Sequence, residues 1–152
     1  MPTSPFHRWA VQRRATRQPL DLVAGFGSLA VTVAAFVLNM GWARTALMLT
    51  AVPLVLVLWH GVLTLVVVGM RLKVRAFHAL CLTHPLAYLL LPDVADIGPT
   101  TLAFGQVRLT AVPALAEPLF VVAMALLIGT LVLCAAVSAQ VWRARSGATE
   151  TA

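Results

Sequence analysis

The sequence predicts an all-α integral membrane protein, an antiparallel bundle of four spanning helices with both termini on the cytoplasmic side. Three observations carry that expectation. First, 61% of the 152 residues are apolar and 11% charged, against about 45–50% and about 25% in soluble domains. That leaves too little polar surface to coat a globule. Second, the apolar residues gather in runs near or above the roughly 18 residues that read as a membrane span. Third, nine of the eleven Lys and Arg residues lie on one side of the threading those runs define, as the positive-inside rule requires of a cytoplasmic face.

The cations divide cleanly. Arg8, Arg13, Arg14 and Arg17 precede the first run, Arg71, Lys73 and Arg75 fill the second connection, and Arg143 and Arg145 follow the last run. Arg44 and Arg108 fall in the other connections, where Asp93, Asp96 and Glu117 gather. The net charge of +6 therefore belongs to membrane threading. A nucleic-acid surface needs a basic patch with base-reading or stacking groups, and none is expected. Ten of the eleven cations are Arg, and Ala, Val and Leu dominate, a composition that points to a GC-rich bacterial genome and a cell (plasma or inner) membrane.

Residues 1–20, MPTSPFHRWAVQRRATRQPL, form a basic cytoplasmic lead. Ser4-Pro5 is a helix-start signal with Pro at the first helical position. Phe6, Trp9 and Ala10 then share a face opposite Arg8 and Arg14, the pattern of a short interfacial helix; a disordered tail is the equal alternative. The next apolar run is longer than a signal-peptide core of about 7–15 residues and three more spans follow, so the first helix is expected to stay uncleaved.

One membrane domain covers residues 21–142, with spans at about 21–41, 46–70, 76–91 and 119–141. The outer turn "WART" puts Trp42 at the water interface, and Pro53 predicts a kink in the outer third of the second span. The cytoplasmic turn "RLKVR" is short, so the second and third spans are expected to be neighbours. The third span is short and carries Pro85. At about 1.5 Å per residue it reaches about 24 Å, so it must thin the bilayer or borrow Val74 and Pro92. The last span ends at Trp142 and Arg143, and residues 143–152 form a frayed cytoplasmic tail. Between the third and fourth spans lies the outer loop 92–118. There "TTLAF" and "VRLTAV" flank Gly105-Gln106, a hairpin signal. A re-entrant segment over 99–116, shielded from lipid, is the alternative.

At 100° per residue each span shows a small or polar stripe. Asp21, Gly25, Ser28, Thr32, Ala35 and Asn39 line up on the first, and Thr50, Pro53, His60 and Thr64 on the second. Cys81, His84 and Tyr88 share a face of the third, and Ala123, Thr130, Cys134 and Ser138 one of the fourth. Such stripes let helix backbones approach closely in lipid, so all four should turn inward. Ser28, Thr32, Thr64, Thr130 and Ser138 are expected to bond carbonyls one turn back. Asp21 and Glu117 are expected to cap the first and fourth spans. Cys81 and Cys134 fall inside spans, with no spacing that suggests zinc or a redox pair.

The histidines are the candidate site. His60 lies roughly 16 Å and His84 roughly 13 Å in from the same cytoplasmic turn, so the two rings are expected to face each other across adjacent, antiparallel helices. Ionisable groups at that depth are functional hypotheses by default. The structural reading has each neutral ring donating to a neighbouring carbonyl; for His84 an acceptor is at hand, because Pro85 cannot bond the carbonyl of Cys81. No arranged nucleophile, carboxylate pair or phosphate loop is present, so no enzyme activity is expected. The first functional reading is an accessory, assembly or structural subunit of a larger membrane complex. Its partners are then the bilayer and other membrane proteins or copies of itself, and it carries no cofactor. The second is a small oligomeric transporter or channel. The third is a b-type haem or quinone-linked redox protein using His60 and His84.

Overall fold

The computed structural model describes residues 5–37, 49–72, 74–92, 101–102, 107–108 and 113–149. The expectations placed on Ser4, Asn39, the WART turn, Lys73, Asp93, Asp96 and Gly105-Gln106 lie outside them. Four helices dominate: α1 (Pro5–Val37), α2 (Val52–Gly69), α3 (Arg75–Leu90) and α4 (Ala116–Thr149). Three are long and apolar enough to cross a membrane, α1 over Pro19–Val37, α2 over Val52–Gly69 and α4 over Ala116–Ser146. With 16 residues, α3 is shorter than the roughly 20 residues that a hydrocarbon core of about 30 Å asks for. In the connection between α3 and α4 two-residue strands β1 (Thr101–Leu102) and β2 (Val107–Arg108) pair antiparallel, Thr101 opposite Arg108 and Leu102 opposite Val107.

Several local expectations are corrected. The basic lead is neither a separate interfacial helix nor a tail, because α1 runs unbroken from Pro5 through Pro19 to Val37. Asp21 therefore sits in mid-helix, where no free N–H groups remain to be capped. Pro53 does not kink α2. It stands in the first turn, after Ala51 in the left-handed region at φ 56°, where its missing N–H removes no helical bond. At the other end α4 continues to Thr149 instead of fraying after Trp142. Glu117 lies in the first turn of α4, where a carboxylate faces the positive end of the helix dipole.

The turn between α2 and α3 has a defined geometry. Leu72 N–H donates to the Val67 carbonyl and Arg71 N–H to that of Val68, at 3.0 and 3.1 Å. Arg71 occupies the left-handed region, φ 53°. This is the Schellman closure, with Arg where Gly is usual.

Packing departs from the sequence order. α3 packs most extensively on α4 and on α1, and α2 on α1 and less on α4, while α2 and α3 meet least of all these pairs. The expected adjacency of α2 and α3 is thus corrected: they lie across the interior from each other. A turn of five residues permits it. It spans up to about 16–18 Å, and the diagonal between helices packed 8–10 Å apart is about 11–14 Å. Contacts also give direction. Gly25 and Leu29 of α1 face Thr64 and Gly61 of α2, an antiparallel register. Asp21 and Phe36 of α1 meet His78 and Tyr88 of α3, a parallel one.

The interior is built from Leu56, Phe77, Leu80, Ala87, Tyr88 and Val137, each at most 2% exposed. Leu54, Val55, Leu58, Val62 and Leu65 cover the outer face of α2, and Val121, Ile128 and Val132 that of α4. Gly25 makes the α1–α2 contact possible, because a Cβ there would overlap the Thr64 side chain, whereas one at Gly27 meets nothing within 4 Å. Replacing Gly25 with Ala should therefore cost about 1–3 kcal/mol through overpacking. Gly27→Ala should be neutral or slightly stabilising through helix propensity. Detergent melting of the two variants against the parent measures the difference.

Candidate functional site

Leu56, His60, Leu63, Thr64 and Val67 are the buried positions of α2 beyond its first turn. They recur at three and four residues, so one stripe faces inward. The buried residues of α3 are Phe77, Leu80, His84, Pro85, Ala87 and Tyr88. His60 and His84 occupy the middle of these stripes and reach toward each other across the interior. Their Nδ1 atoms lie 2.8 Å apart and their ring centroids 5.1 Å, with the planes tilted by 34°. Both rings are fully buried.

A contact between two Nδ1 atoms constrains protonation. One ring must carry its proton on Nδ1 and donate, while the other presents a bare Nδ1 lone pair. Two rings both protonated there would oppose N–H to N–H and could not approach to 2.8 Å. The pair therefore holds a single proton between its Nδ1 atoms and has two arrangements that differ in which ring donates. On its far side His60 presents Nε2 to Cys81 Sγ at 3.7 Å. Phe77 stands edge-on to His60, with ring centroids 6.3 Å apart, and Tyr88 is tilted against His84 at 5.7 Å. Neither expected histidine–carbonyl bond is formed: each imidazole finds the other.

The donor set can be tested against haem. His60 and His84 would be the residues to hold it, and an imidazole can ligate through either nitrogen. The two Nδ1 atoms are bonded to each other at 2.8 Å and the His60 Nε2 faces Cys81, so the rings do not present a pair of free nitrogens to one group between them. Among the described residues no group of three or more His, Cys, Asp or Glu side chains is placed to hold a metal ion.

The other polar side chains of the stripes are accounted for nearly one by one. Thr32, Thr64, Thr130 and Ser138 donate to the carbonyls of Ser28, His60, Leu126 and Cys134, one turn back, at 2.8–2.9 Å. Ser28 does not join them; its Oγ is buried with no partner in the protein. Tyr88 packs edge-on to Phe36 at 5.5 Å. Cys134 is buried, Cys81 is half-buried, and both are free thiols.

Besides a long bond from Thr130 Oγ1 to Thr83 Oγ1, 3.4 Å between α4 and α3, two further cross-helix bonds escaped the sequence reading. Trp59 Nε1 donates to Ser138 Oγ at 3.0 Å, joining α2 to α4. His78 Nε2 lies 3.0 Å from Asp21 Oδ1, joining α3 to α1 at the basic end. The second was within reach of the depth count applied to His60 and His84. Asp21 opens the first span and His78 lies one turn inside the third, so their levels agree. For Trp59 no comparable signal exists, because an indole neighbouring an inward residue reads equally well as lipid-facing.

No protein-family model, no curated protein and no solved structure matches this chain. The function must therefore be argued from the geometry itself.

Because each imidazole is the other's partner, their energies are coupled. Either His60→Leu or His84→Leu alone strands a buried ring and should cost about 1–3 kcal/mol. The double variant should cost less than the sum of the two by an amount of the same order. A double-mutant cycle on unfolding in detergent measures that difference, and strict additivity would mean the rings are not bonded.

Proposed function

We propose that this chain is a four-span protein of the bacterial cell membrane, a bundle with both termini cytoplasmic, and that it serves as an accessory or assembly subunit of a larger membrane complex. The observation that carries this reading is where its chemistry is spent. The central polar groups bond mostly one another or their own helices. The space around them is filled by side chains such as Phe77, Leu80 and Tyr88. What the described helices offer outward is apolar side chain. A single-chain channel would need the packed centre to open. An accessory role needs only a rigid body with a helix-compatible outside, since association in lipid rests on packing and not on a hydrophobic drive.

The orientation rests on the nine-to-two division of cations. The short α3 supports the four-span reading through its neighbours: it packs on α1 and α4, and the Arg71–Arg75 turn at its start leaves cations free to reach the interface. Reporter fusions after Trp142 should be active on the cytoplasmic side and fusions after Asp96 on the outside. A reporter after Trp142 active on the outside would remove α3 as a span.

For the role itself, the tagged chain should be extracted in two mild detergents and its native mass compared with that of the chain made alone. We expect a stoichiometric complex with at least one larger membrane protein from the native membrane and a monomer from the isolated chain. A closed homo-oligomer in both cases, conducting ions in lipid vesicles, would overturn the accessory role in favour of a channel.

A further inference from the structure

The central layer contains polar atoms that the histidine pair does not use. His60 employs both ring nitrogens, Nδ1 on His84 and Nε2 toward Cys81. His84 employs only Nδ1. Its Nε2 is buried with no partner in the protein, on a side chain 0% exposed, and Ser28 Oγ is in the same condition on a residue 7% exposed.

These two atoms share a level of the structure. On the α1–α3 side, Asp21 stands beside His78 and Phe36 beside Tyr88, so the residues halfway between, Ser28 and Thr83, lie at about one level, and His84 follows Thr83. On the α1–α2 side, Gly25 stands against Thr64 and Leu29 against Gly61, which brings Ser28 level with His60. A third polar atom belongs to the same layer. The Cys81 carbonyl is directed at position 85, where Pro85 has no N–H to give, and both His84 and Pro85 lie on the buried face of α3.

We propose that His84 Nε2, Ser28 Oγ and the Cys81 carbonyl bind one internal water molecule. The chemistry selects an uncharged ligand with donors and acceptors. The carbonyl only accepts, the hydroxyl does both, and the imidazole nitrogen does either according to its tautomer. Among the described residues no carboxylate or guanidinium is part of the layer to match an ion. Buried waters typically make about three hydrogen bonds to otherwise unsatisfied groups, and ordered water is one of the ways a Pro-containing membrane helix satisfies its freed carbonyl. The water has a further consequence. When His84 Nε2 donates to it, His84 Nδ1 is bare and His60 Nδ1 must be the donor of the pair; when Nε2 accepts, the direction reverses. The water therefore couples Ser28 on α1 to the tautomer of His60 on α2.

The site is tested on the full chain in lipid bilayers, 15N-labelled at histidine, in a His7→Gln, His78→Gln background that leaves only the two buried rings. Solid-state NMR then reads magnetisation transfer from water to the ring nitrogens. We expect transfer to the Nε2 of one buried ring, its loss in Ser28→Ala together with a shift of that resonance, and its retention in Ser28→Thr, which keeps the hydroxyl. Ser146→Ala, whose hydroxyl donates to the Trp142 carbonyl near the end of α4, should change neither. Absence of transfer to both rings, or transfer unaltered in Ser28→Ala, would overturn the proposal. Neither result bears on whether the chain joins a larger complex.

Discussion

Hydrocarbon offers no hydrogen bonds, and that constraint organises this structure. A polar side chain on a membrane helix must find its partner on its own helix or on a neighbour. Thr32, Thr64, Thr130 and Ser138 take the first course, and their bonds leave the surrounding helix faces free to pack. An imidazole cannot be satisfied so locally, because it has two nitrogens pointing in different directions. His60 and His84 therefore bond across the interior, and this contact requires both helices to turn one particular stripe inward. Once those stripes are set, Leu56 and Val67 on α2 and Phe77, Leu80 and Ala87 on α3 are committed to the core, and the opposite faces to lipid.

The shortest helix is the best packed. α3 is flanked by α1 and α4, of 33 and 34 residues, and carries His78, Cys81, His84 and Tyr88 along consecutive turns. These four meet three partners on two other helices: His78 meets Asp21, Cys81 and His84 both meet His60, and Tyr88 meets Phe36. Of the four described helices, the one that falls short of a span in length is in this way held by specific contacts along it. The closure at Arg71, with its two backbone bonds, lets the chain leave α2 and begin α3 on the opposite side of the interior. Close approach elsewhere compensates for this crossing, chiefly at Gly25, where the backbone of α1 lies against Thr64.

The same economy bears on function. A pair of histidines buried in a span invites a redox or transport reading, and the geometry shows a structural use for them. Bonded to each other at 2.8 Å, they tie the second and third helices together through a single proton. Further bonds extend the tie: Trp59 to Ser138 reaches α4, and Asp21 to His78 reaches α1. Helices joined at several levels in this way are held as one body.

The sequence by itself determined the class, the number of helices, the inward stripes and the depth of the histidines. Each of these depends on composition, on helical period or on distance from a charged turn, and such quantities are local to one segment. Gly25, Ser28, Thr32 and Ala35 show their common face by spacing alone, and His60 and His84 show their matched depth by counting from Arg71 and Arg75. Only the tertiary structure decided which helices are neighbours, that Asp21 bonds His78 in mid-helix instead of capping, and that the imidazoles, expected to face each other, bond directly through Nδ1 across the interior rather than donating to carbonyls. The physical reason is that a stripe specifies a direction but not what lies along it. A turn of five residues is long enough to reach either an adjacent or a diagonal position, so the choice falls to side-chain fit among all four helices at once. Gly25 against Thr64 and Phe36 against Tyr88 are parts of that fit, and no single segment contains both halves of either contact.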